Sequence, residues 1–315
     1  KQYNDDTDAI TSDRRAAAQQ MFEDIRNGVS PCSSWKVVDV RDNNSTTGMY
    51  ACMIETSEGN AIVAFRGSEN TDANQFYLDW LKADSGLLDS IATDQQSDAE
   101  EYIRYISGLS TQYDSYVFAG HSLGGNLAVH AGLTAPESML DRILQLYNLD
   151  GPGNSEEYRE AHAAEIQSNG SKITHYQWSF IGGLLNRYEN ENFHSVSSKN
   201  PQDYNGNYFM LALKHDLCFL NFDENGSLDM TDMGNFERSV SHLTQSIDSI
   251  SGGNSELISG IYEDIQGLND AEKMIVGLMC ADVISIAFQN GVALAAGNPF
   301  LIAFSYAILS ADAKY

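Results

Sequence analysis

Positive charge is what this chain most lacks. Eighteen Lys and Arg face 44 Asp and Glu among 315 residues, a formal net charge of −26. Phosphate backbones are bound by clustered Lys and Arg, so this balance argues against nucleic acid as a partner, and a strongly anionic membrane repels the bulk of such a surface. Solubility is the ordinary consequence of the charge. Cysteine is scarce as well. Cys32, Cys52, Cys218 and Cys280 are scattered, with no C-x-x-C spacing, which implies neither a disulfide framework nor a zinc site, and no other cofactor is called for. Cys32 and Cys52 are spaced to meet across a hairpin, but one pair does not fix a compartment. Internal repeats and low-complexity tracts are absent. The chain opens on Lys1 rather than Met, so a start or leader is expected to have been removed, leaving cytoplasmic and secreted locations both open.

What is present is a long alternation of strand and helix signals. A helix is expected over Thr11 to Asn27, with Gly28 as its stop. Strand patterns follow at Trp35 to Val40, Met49 to Glu55 and Ala61 to Phe65, separated by turn residues at Asn43-Asn44 and Glu58-Gly59-Asn60, an antiparallel entry to a sheet. Helices are expected over Gln75 to Leu88, Asp98 to Ile106 and Glu156 to Gln167, and buried strands at Ser115 to Ala119, Leu144 to Leu149 and Lys172 to Trp178. Such alternation predicts an α/β fold with a mostly parallel central sheet. Three segments are expected: an N-terminal helical segment over 1–30, a catalytic α/β domain over 31–232, and a helical C-terminal extension over 233–315. The extension carries no charge from Val283 to Ala311, but Gln289-Asn290-Gly291 and Gly297-Asn298-Pro299 interrupt it. A bilayer crossing needs about 20 apolar residues, so the interrupted pieces fit a buried helical hairpin better, with membrane or lipid-surface contact as the alternative.

The chemistry is concentrated at Gly120-His121-Ser122-Leu123-Gly124, which follows the apolar run Tyr116 to Ala119 and opens onto the helix-compatible Asn126 to Ala131. A G-x-S-x-G turn between strand and helix is a nucleophile elbow, whose sharp bend presents the serine Oγ above the sheet. Ser122 is therefore the candidate nucleophile, with the Leu123 amide as one oxyanion donor. Asp150 directly follows the Leu144 to Leu149 strand in a rigid Gly-Pro-Gly turn and is the candidate acid, with Asp203 and Asp216 as rivals. The chain order serine, acid, histidine sets aside His121 and His130, which are expected to pack or hydrogen-bond. His215, between the apolar runs Tyr208 to Leu213 and Leu217 to Phe222, fits best as base. His175 in a strand and His194 in a polar loop are the alternatives, and His242 falls in a helical pattern.

Phe65-Arg66-Gly67-Ser68 ahead of Gly120-His121-Ser122-Leu123-Gly124-Gly125 resembles the class 3 lipase arrangement. Within that group, Leu127 to Ala131, Tyr147-Asn148-Leu149-Asp150-Gly151-Pro152-Gly153 and Lys214-His215-Asp216 most resemble the Mbeg1-like family, over roughly Trp35 to Phe222. The resemblance implies an α/β-hydrolase fold and places Ser68 in the oxyanion hole. Many lipases of this class take their acid from a later strand, where this chain has Ser179. The expected activity is hydrolysis of acyl-ester lipids through an acyl-enzyme, with Phe180 to Leu185 as a pocket wall, a lid or a core helix. An acyltransferase or thioesterase would use the same triad, and a catalytically silent lipid- or protein-binding module is the non-enzymatic alternative.

Overall fold

The computed structural model describes residues 9–67, 93–109, 113–199 and 214–234, with isolated positions between 237 and 245. Ser68, Gln75 to Leu88, Asp203, Tyr208 to Leu213, His242 and the apolar segment 283–311 lie outside the described residues. The centre is a seven-stranded sheet in sequential order: β1 (Lys36–Asp42), β2 (Tyr50–Glu55), β3 (Ala61–Phe65), β4 (Tyr116–His121), β5 (Ile143–Leu149), β6 (Ile173–Gln177) and β7 (Asn192–Ser195). β1 to β3 pair antiparallel and β3 to β7 parallel. The expected antiparallel entry and parallel continuation are both present, and this is the α/β-hydrolase fold.

The pleat explains the strand patterns. Ala51 and Met53, then Ala61, Val63 and Phe65, then Tyr116 and Phe118 alternate onto one buried face. Against that face pack α2 (Asp94–Ser107), through Ala99, Tyr102, Ile103 and Ile106, and α3 (Leu123–Leu133). Burying one such side chain contributes about 1.5–3 kcal/mol, which makes this face the main source of cohesion. α2 starts four residues earlier than its apolar spacing suggests, because Thr93 and Gln96 form a reciprocal capping box.

Every residue of α3 is buried, including Asn126 and His130. Their polar atoms are bonded rather than solvated. Gln96 Nε2 donates to the Asn126 and Asn154 side-chain oxygens at 2.9 and 3.2 Å, and Asn126 Nδ2 donates to the Gly153 carbonyl at 2.9 Å. Asn154 in turn bonds the Tyr188 hydroxyl. His130 bonds Tyr158 Oη at 2.6 Å and Glu100 at 3.1 Å.

Several expectations need correction. The single helix over Glu156 to Gln167 is two, α4 (Glu156–Ala161) and α5 (Ala163–Asn169), broken at His162, whose φ of −109° and ψ of 22° leave the helical region. Phe180 to Leu185 is buried as the core reading expected, but it holds a 3-10 turn over Ile181–Gly183 in place of an α-helix. Leu217–Phe219 is likewise a 3-10 turn, and His194 lies in β7 rather than in a loop. Cys32 and Cys52 are free thiols, with no bridge between them.

α1 (Ala9–Arg26) precedes the sheet. No described helix is long and apolar enough to cross a membrane, and among the described residues no His, Cys, Asp or Glu cluster is arranged to hold a metal ion.

Candidate active site

Parallel pairing puts the carboxyl ends of β3 to β6 along one edge of the sheet, where α/β proteins place their reactive groups. His121 pairs with Leu149, and Leu149 with Tyr176. Ser122 and Asp150 are therefore the first residues past neighbouring strands, at the same height. Both adopt left-handed backbone, with φ of 60° at Ser122 and 54° at Asp150. Non-glycine residues occupy that region at a cost, and such strain persists where the surrounding structure imposes it. At Ser122 the imposing contacts are its N–H to the Leu149 carbonyl at 3.0 Å and the Gly125 N–H to its own carbonyl at 2.8 Å. At Asp150 the N–H donates to the Tyr176 carbonyl at 2.7 Å, and the Asn148 side chain clasps Gly151 from both sides.

The elbow is pressed against the end of β3. A side-chain carbon on Gly124 would lie 2.3 Å from the Phe65 carbonyl oxygen, and one on Gly67 would lie 2.9 Å from Ser122 Cβ. Both approaches require glycine. The main chain leading to Ser68 thus runs directly beside the nucleophile, although Ser68 itself is outside the described residues. The Leu123 amide stands at the first turn of α3, an eleven-residue helix whose N-terminal end carries partial positive charge.

Asp150 is fully buried and receives four hydrogen bonds. Trp178 N and Ser179 N donate to Oδ1 at 2.9 and 3.0 Å, and Ser179 Oγ donates to Oδ2 at 2.5 Å. The fourth joins Oδ2 to His215 Nδ1 at 2.7 Å. Burial pushes the carboxyl pKa up, but the bond and charge of His215, with the Ser179 hydroxyl and the Trp178 amide, outweigh it and leave the group below its usual value. An ionised acceptor holding the Nδ1 proton of a histidine leaves Nε2 free to act as a base.

His215 sits in a turn, with its side chain buried. The following segment anchors it. Asp216 caps the 3-10 turn by accepting from Cys218 N at 3.0 Å, and Leu220 packs with Trp178 and Val196. The His215 carbonyl accepts from His121 Nε2 at 2.8 Å and from Trp178 Nε1 at 3.2 Å. The His121 ring stacks on that of His215 with centroids 4.3 Å apart, and its other neighbour is Trp178 at 5.7 Å. Burial first, and then the charge of His215, push the His121 pKa down to about 4. Ser122 is 4 % exposed, and its Oγ makes no hydrogen bond among the described residues.

The structure thus brings Ser122, Leu123, Asp150 and His215 to one place. Among the described residues, the rivals have other parts. Asp216 serves as a turn cap, His175 lies 3.4 Å from the buried Glu191, and His194 stacks on Tyr176. Ser179, Trp178 and His121 were not among the expected site residues. Only Ser179 had a signal in the sequence, as the hydroxyl residue standing where a later acid was expected.

Compared with solved structures, the chain is similar to a triacylglycerol lipase from Penicillium expansum, with 15 % identity, a TM-score of 0.40, and coverage of 66 % of this chain and 77 % of that one. It is also similar to lipase II from Rhizopus niveus, with 12 % identity, a TM-score of 0.29, and coverage of 54 % and 70 %. No curated protein matches in sequence. Residues 30–228, most of the chain and the whole of the sheet with its elbow, match the Mbeg1-like family, and the chain belongs to that family.

Proposed function

We propose that the protein is a serine hydrolase that cleaves acyl esters of lipids through an acyl-enzyme. The observation that carries this reading is the 2.7 Å hydrogen bond between Asp150 and His215 Nδ1, beside a serine in a strained elbow at the end of the neighbouring strand. In this reading His215 Nε2 takes the proton of Ser122 Oγ, and the oxygen attacks the ester carbonyl. Asp150 holds the tautomer and stabilises the imidazolium. The Leu123 amide, with Ser68 beyond Gly67, binds the oxyanion. His215 then returns the proton to the leaving alcohol. Water, activated by the same nitrogen, releases the acid. A serine–histidine bond that is unmade without substrate is common, because such bonds tighten only in the Michaelis complex. The ester-lipid class rests on the Phe65 to Ser68 and Gly120 to Gly125 segments and their resemblance to class 3 lipases.

The test is labelling of the whole chain by a fluorophosphonate, followed by hydrolysis of p-nitrophenyl esters of increasing chain length. Labelling that is lost in Ser122→Ala and His215→Ala, with turnover rising toward longer acyl chains, is the expected result. An unlabelled native protein that hydrolyses no ester would overturn the proposal in favour of a silent binding module. Thioester or acyl-transfer activity without ester hydrolysis would move it to another reaction of the same triad.

A further inference from the structure

Resting on that reading, we propose that His121 is a positioning residue for the general base, fixing both the main chain and the ring of His215 so that proton transfer to and from Ser122 occurs at one geometry. A base carried on a turn needs more than its bond to Asp150, since that bond leaves the ring free to pivot about the Nδ1–Oδ2 axis. Two further restraints are present. The His215 carbonyl is held by two ring N–H groups, His121 Nε2 from the end of β4 and Trp178 Nε1 from just past β6. These strands flank β5, which delivers Asp150. These two bonds and the one to Asp150 therefore come from three adjacent strand ends. The second restraint is the stacked face of His121, inclined at 29° to the His215 ring.

The arrangement also fixes the state of His121. Its Nε2 must carry the proton donated to the carbonyl. The charged groups acting on it are His215, Asp150 and Asp216, and the Trp178 face closes its other side. A neutral ring presents π-electron density to the imidazolium that forms on His215, whereas a second cation would repel it. Because His121 is covalently next to Ser122, any shift of the elbow carries the clamp on the base with it, and nucleophile and base keep their relative position.

The variants His121→Gln, which keeps a donor, His121→Phe, which keeps a stacking face, and His121→Ala, which keeps neither, separate the two restraints. His121→Ala is expected to lower kcat about tenfold to a hundredfold, the scale on which small misplacements act. KM should stay within about twofold, because no bound ester is touched. Gln and Phe should fall between, and the acid limb of the kcat/KM profile should move further in Gln and Ala, which remove the ring facing His215, than in Phe, which keeps one. A downfield NMR signal is expected for the proton on His215 Nδ1, which lies 2.7 Å from Asp150, and provides a second readout, independent of turnover. Should the native chain hydrolyse nothing while His121→Ala loses that signal and His121→Gln retains it, the hydrolase reading falls and the positioning role stands. Native kcat together with an unchanged signal in all three variants would overturn the positioning role.

Discussion

Asp150→Asn isolates what the carboxylate does from what it holds up. The retained oxygen stays with Trp178 N and Ser179 N, which are fixed backbone donors at 2.9 and 3.0 Å. The new amide nitrogen must then face Ser179 Oγ and His215 Nδ1. A hydroxyl can turn to accept, but a histidine nitrogen can accept only by losing its proton, which moves to Nε2, where the base should be vacant. The fold keeps all four contacts, the two to Ser179 Oγ and His215 Nδ1 in reversed polarity, so the melting temperature should move little. The rate should fall about 10⁴-fold, the cost of the wrong tautomer in a triad. Asp150→Ala contrasts with this, since it strands two buried amides at about 1–3 kcal/mol each, besides the buried histidine. Thermal denaturation and fluorophosphonate labelling of the two variants therefore separate the effects. An Asn variant that labels within tenfold of the native rate would refute the role of Asp150 and return the acid to another residue.

Gly124→Ala drives a methyl to 2.3 Å from the Phe65 carbonyl and should cost about 1–3 kcal/mol of stability with loss of labelling; an unchanged melting temperature would mean that the elbow does not abut β3. Ser179→Ala removes the 2.5 Å donor to Asp150 but not the amide above it, so kcat/KM should drop about tenfold and its acid limb should move to higher pH, as the less satisfied carboxylate holds the His215 proton harder. Ser179→Thr should restore both, and an unmoved limb in the alanine variant would count against this. The His121 pKa is depressed to about 4, so the folded state binds fewer protons than the unfolded chain below about pH 6.5. Its contribution is full above that value and declines as pH falls toward and through 4, by about 3 kcal/mol at most. Chemical denaturation at stepped pH should show a shallower decline in His121→Gln than in the native chain.

The sheet was legible because its information is local. β2, β3 and β4 are short runs of apolar and small residues, and turn signals at Asn43-Asn44 and Glu58-Gly59-Asn60 separate the first three strands. Ser122 and Asp150 were legible for a related reason, each following an apolar strand in a glycine-rich turn. His215 emerged only by elimination and resemblance, since a turn histidine has no periodicity of its own. The break at His162 went unseen because Ala161 and Ala163 to Glu165 continue a good helical pattern, and tertiary packing overrode it. Phe180 to Leu185 looked helical by its apolar content, but apolar content does not distinguish a helix from a buried turn. The parts played by His121, Trp178 and Ser179 depend on contacts spanning 28 to 94 positions of sequence, which no window along the chain contains.

The polar cluster beneath α3 has a bearing on how relatives of this chain can diverge. Asn126, Gln96, Asn154 and Tyr188 each hold hydrogen-bonding capacity that the next one uses. An apolar replacement at any one of them strands its neighbour, while replacement of the set by a well-packed apolar group need cost little. Drift at these four positions is therefore expected to occur in concert, so that sequences of this family should fall into discrete classes, with either the whole amide–phenol set or none of it, and few intermediates.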